Sequence, residues 1–178
     1  MLRQMWMGGL VLAALVPAAF AEDKHEHHAT TVKNAGLDKM KTLVGTWVVA
    51  DKDGKPTEEV VSVIKLTAGG TAVQETLFPG QDHEMISMYT ADGADLLMTH
   101  YCMLGNQPRM KATPKAGAKT IHFEFVGGGN LDVKKDKHMH AAMLTIVDKD
   151  HIEIEGIGWE NGAPAKEMCN GMKLVRKP

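Results

Sequence analysis

The sequence predicts an all-β chain: an antiparallel ten-stranded meander β-barrel with a short N-terminal helix. Three observations carry this. From residue 45 onward, short runs rich in Val, Ile, Thr and Met recur roughly every ten residues, bounded by turn signals. Those signals are good hairpin chemistry, because Gly, Asn and Asp reach positive φ at low cost. Helical periodicity is confined to one stretch ahead of the strands. A flat sheet of ten strands would leave two unpaired edges and a bare apolar face, and closure into a barrel removes both. A two-sheet sandwich is the alternative architecture.

Taken in order, residues 1–21 read as a signal peptide. Arg3 supplies a short positive region, Met5 to Leu15 is almost wholly apolar, and Pro17 breaks the run. Ala19-Phe20-Ala21 is an A-x-A cleavage site. The apolar run is short for a membrane span and is soon followed by Glu22-Asp23-Lys24. No later segment has the length and apolarity of a transmembrane helix. The expected location is therefore periplasmic or secreted, with no integral membrane segment after cleavage. Residues 22–33 are polar and aperiodic and read as a flexible, His-containing tail. Residues 34–178 are left as one domain.

Within that domain, Leu37, Met40 and Leu43 share one helical face, which predicts a helix over 34–43. Strands follow at about 45–51, 58–67, 71–78, 83–90, 95–103, 108–113, 120–126, 138–148, 151–159 and 165–176. The punctuation is Asp53-Gly54, Gly69-Gly70, Pro79-Gly80, Asp92-Gly93, Gly105-Asn106, Lys149-Asp150 and Asn161-Gly162. Gly127-Gly128-Gly129 opens the one longer connection. Short turns between consecutive strands imply antiparallel neighbours.

Composition excludes several functions. The chain of 178 residues has a net charge of −2, which gives no electrostatic footprint for nucleic acid. Aromatics are 5%, too few for a base-stacking platform. Two cysteines allow at most one disulfide. No G-x-S-x-G elbow, P-loop or H-E-x-x-H occurs. Glu153 and Glu155 stand side by side on one strand rather than flanking a substrate. No nucleophile–base pair is visible, so the sequence reads more readily as a binding protein than as an enzyme.

Gly45-Thr46-Trp47, just after the helix and at the start of the first strand, resembles the G-x-W opening of the lipocalin and wider calycin families. Arg176 stands where those barrels place a basic residue across the Trp at the closed base. The segments Thr99-His100-Tyr101-Cys102, Gly105 to Met110 and His138-Met139-His140 are similar to those of exported bacterial calycin-like proteins of unknown function. The resemblance implies a barrel with structural roles for Gly45, Trp47 and Arg176. It implies no particular activity.

Candidate binding residues follow from strand alternation. Met98, His100 and Cys102 share one face, offering a thioether, an imidazole and a thiol to a ligand or soft metal, or simply filling core. Arg109 opens the next strand and suits a carboxylate, a pairing with Glu75 or Glu124, or solvent. His138 and His140 share a face with Ala142 and Leu144, and could chelate one metal with His100 as a third ligand, or stand solvated at a strand mouth. In the tail, His25, His27 and His28 offer weak metal binding. Cys102 and Cys169 fall on strands that a ten-strand meander places on roughly opposite walls, which argues against a disulfide. The ten methionines after residue 21 read as adaptable filler or a compliant cavity lining, with copper binding as the alternative. The expected function is binding of a small, largely apolar molecule in the lumen. The alternative is a periplasmic metal- or haem-binding protein using the barrel histidines. The sequence specifies no cofactor.

Overall fold

The computed structural model describes residues 33–178. The expected signal peptide over 1–21 and the tail histidines His25, His27 and His28 lie outside the described residues. Helix α1 spans Ala35–Lys41. The strands are β1 (Gly45–Ala50), β2 (Pro56–Thr67), β3 (Ala72–Leu77), β4 (Met85–Asp92) and β5 (Asp95–Tyr101), then β6 (Gln107–Ala112), β7 (Thr120–Gly129), β8 (His138–Ile146), β9 (His151–Glu160) and β10 (Ala163–Arg176). Each pairs antiparallel with the next, and β10 pairs with β1 to close the barrel. This is the expected closed antiparallel meander.

Closure follows from the alternation. Leu96, Met98 and His100 are buried on β5, as are Met110 and Ala112 on β6 and Ile121 and Phe123 on β7. Their alternate neighbours Lys111, His122 and Glu124 are exposed. Period-two patterning therefore puts one apolar face inward around the whole circumference.

One end is plugged by α1. Asn34 caps the helix, its Oδ1 accepting from the Leu37 N–H at 2.8 Å. The Asn34 amide donates to the carbonyls of Gly93 and Asp95, tying the helix to the β4–β5 turn. Leu37 and Met40 are buried on the barrel side. Contact is close: a Cβ on Gly36 would lie 2.8 Å from the Pro114 Cγ and 2.9 Å from the Leu96 Cβ. Gly36→Ala should therefore cost about 1–3 kcal/mol by overpacking, despite its better helix propensity, and urea unfolding would show it.

The same end carries the Trp–Arg pair. Trp47 is fully buried and its Nε1–H donates to the Leu43 carbonyl at 2.9 Å. The Arg176 guanidinium lies 4.4 Å above the indole and donates to the carbonyls of Val44, Thr42 and Lys149. Gly45 is needed beneath it: its φ is +147°, and a Cβ there would fall 2.7 Å from Arg176 Nη1.

Two irregularities change what the sequence implied. In β8, Met139 pairs with Gly158 and Ala141 with Ile157, so His140 is an inserted bulge residue. The bulge reverses the alternation, and Met139 joins Ala142 and Leu144 on the cavity lining in place of His138 and His140. In β10, the chain advances from Ala165 to Asn170 while β9 moves only from Gly158 to Gly156. Cys169 sits in that bulge, and Cys102 follows β5. Both thiols are free.

Candidate ligand-binding cavity

Inside the barrel lies a partly open cavity of about 150 Å³. Met40 forms part of its lining at the plugged end, and Phe78, Met85 and Met139 line it toward the other. Six methionines line it in all: Met40, Met85, Met98, Met139, Met143 and Met172. Unbranched thioether side chains give a compliant apolar wall.

The lining has one concentrated polar region, and strand register builds it. Glu75 on β3 pairs with Ser87 on β4, which pairs with His100 on β5. Tyr89 follows two residues after Ser87 on the same face. The Tyr89 hydroxyl donates to Glu75 Oε2 at 2.5 Å, and Ser62 on β2 donates to Oε1 at 2.7 Å. Ser87 Oγ and His100 Nδ1 share a hydrogen bond of 3.0 Å. All five residues are buried.

Burial sets the charge states here. It raises the Glu75 carboxyl above its ordinary range, against the opposing pull of the Tyr89 and Ser62 hydroxyls. Burial, then the charge of Glu75, pushes the Tyr89 phenol well up. Burial lowers His100 to about 4, so the imidazole is neutral at pH 7. A neutral imidazole and an acid in an apolar wall are hydrogen-bonding anchors for a ligand.

Of the sequence candidates, His100 faces this cavity with Met98. Cys102 stands at its edge, half-buried, with Sγ 3.9 Å from the Sδ of Met85. Burial raises its thiol above the ordinary value, which makes it a poor nucleophile. Arg109 is exposed on β6, opposite Gly127, and is not part of the lining. Of the alternatives for it, pairing with Glu75 is not made, because Glu75 lines the lumen.

His138 and His140 form a separate cluster at the open end. The β7–β8 ladder runs only to Glu124–Ala141, and rings stand beyond it. His140 stacks on Trp159 at 3.9 Å and on Phe125 at 4.6 Å between centroids. His138 Nδ1 lies 2.8 Å from the Asp136 carbonyl, which can only accept. A neutral His138 therefore carries its proton on Nδ1 and accepts at Nε2 from His140 Nδ1–H, 2.9 Å away. Burial, and then the neighbouring His138, hold His140 below the usual histidine range. The pair is engaged with itself and does not line the cavity that His100 lines. Among the described residues no group of three or more His, Cys, Asp or Glu side chains is placed to hold a metal.

Glu75, Ser87 and Tyr89 were not singled out from the sequence as binding residues. A signal existed: Glu75 falls on the inward phase of Val73, Glu75 and Leu77, where an acid breaks an apolar alternation.

No family model matches the chain, and no curated protein matches it. What fold and site define is a class: a closed ten-stranded antiparallel barrel with a methionine-lined cavity and one buried polar patch.

Proposed function

We propose that this is an exported, lipocalin-like binding protein that holds a small, largely apolar molecule in its lumen. The single observation that carries the reading is the cavity itself, apolar over most of its wall, with a few convergent polar groups. An apolar cavity of about this volume is enough for a benzene-sized molecule. The Arg3 to Ala21 leader supports export to the periplasm or beyond.

The test is binding of toluene to the purified protein, followed by NMR and by thermal unfolding. Toluene should shift the resonances of Met98, Phe123 and Leu144 and raise the melting temperature. Ala142→Phe, which projects a ring into the cavity, should abolish both effects while the protein stays folded. A wild-type spectrum unmoved by toluene, together with a protein that yields no small molecule on solvent extraction, would overturn the reading.

A further inference from the structure

We propose that the lumen selects a small apolar molecule with a hydrogen-bond-donating head, best of all an ammonium, and seats that head on Glu75. This rests on the binding reading above and names its ligand class.

The argument is a count of protons. Tyr89 and Ser62 each have one hydroxyl proton, and both are spent on Glu75. In the ionised form that an ammonium ligand would favour, each Glu75 oxygen keeps a further lone pair. Ser87 and His100 have two protons between them, and their mutual hydrogen bond uses one. The patch is therefore rich in acceptors and poor in donors. A ligand that brings donors satisfies the carboxylate, and one that brings only acceptors leaves the Glu75 lone pairs unmet.

Charge points the same way. Among the described residues, the charged side chains on the cavity lining are Glu75 and Glu155, both acids, and no Lys or Arg lines it. Among the described residues, the side chains that hydrogen-bond Glu75 are the two hydroxyls, which are neutral. His100 supplies no cation at neutral pH, because its surroundings keep it unprotonated. A buried carboxylate without a counter-cation is costly, and a ligand ammonium is the partner it lacks. Phe123, Leu144, Ile154 and Met172 complete the lining with apolar wall for the body of the molecule.

The experiment compares four molecules of one shape at pH 7: benzylamine, benzyl alcohol, toluene and benzoate. Each is titrated into the wild-type protein and into Glu75→Gln, with affinities read by NMR or calorimetry. Wild type should bind benzylamine about tenfold or more tighter than toluene, with benzyl alcohol between them, as a charge-assisted hydrogen bond requires. Benzoate should not bind. Glu75→Gln should lose the preference for benzylamine and keep its affinity for toluene within about threefold, the amide removing the charge and exchanging one acceptor oxygen for a donor. Benzoate binding as tightly as benzylamine, or toluene binding with no gain from the amine, would overturn the inference and leave the binding reading standing. Failure of all four, toluene included, would overturn both. The wild-type series decides alone if Glu75→Gln does not fold.

Discussion

Trp47→Ala should lower the unfolding free energy by about 3–5 kcal/mol, the range for deleting a buried aromatic ring. Urea denaturation at neutral pH would measure it. The cost has two sources. The indole is fully buried at the junction of β1 and α1, so its removal leaves a cavity the rigid barrel cannot close. It also leaves Arg176 without the ring it covers. Arg176→Ala should cost less, about 1–3 kcal/mol, because it forfeits the cation–ring contact and three carbonyl partners but keeps the core filled. The two changes should be less than additive, with a coupling of about 0.5–2 kcal/mol in a double-mutant cycle. Full additivity would mean that the guanidinium and the indole do not act as one clamp.

Acidification from pH 7 toward pH 4 should destabilise the barrel by up to about 3 kcal/mol through His100 alone. The sign follows from proton uptake. His100 titrates near 6.5 when unfolded and near 4 when folded. Between those values the unfolded chain binds the extra proton, so stability is full above pH 6.5 and is lost as pH falls to 4. Below that the contribution is constant. His140, also lowered but only partly buried, adds a smaller loss of the same sign. Glu75 acts in the opposite sense. Its folded value is raised, so the folded state takes up a proton before the unfolded chain does, and stability is gained as pH falls from that raised value toward 4.5. His100→Gln should therefore flatten the acid limb of a plot of stability against pH, and Glu75→Gln should steepen it. An acid limb unchanged by His100→Gln would show that the imidazole is not held neutral by burial.

Much of the architecture was legible in the chain because its causes are local. Pairs such as Asp92-Gly93 and Asn161-Gly162 mark their turns by positive φ, and the glycines adopt +57° and +73°. Leu37 and Met40 mark the buried face of the helix by their spacing. His100 was found by the same alternation that buries Leu96 and Met98. The rest of the site was harder to see, for particular reasons. Glu75 and Tyr89 lie fourteen residues apart and become partners only through the β3–β4 register. An unbroken period of two puts His138 and His140 on the face of Ala142 and Leu144, and one inserted residue in β8 reverses it.

Strand number, turn positions and the closed meander followed from residue chemistry over windows of a few residues, where turn propensity and side-chain period act. The contents of the lumen were decided by the tertiary structure. A side chain's facing depends on every bulge between it and its turn, and a cluster's members depend on registers across several strands. Local chemistry thus determined that there is a barrel, and only the register of β3, β4 and β5 decided that a carboxyl, a phenol and an imidazole share its cavity.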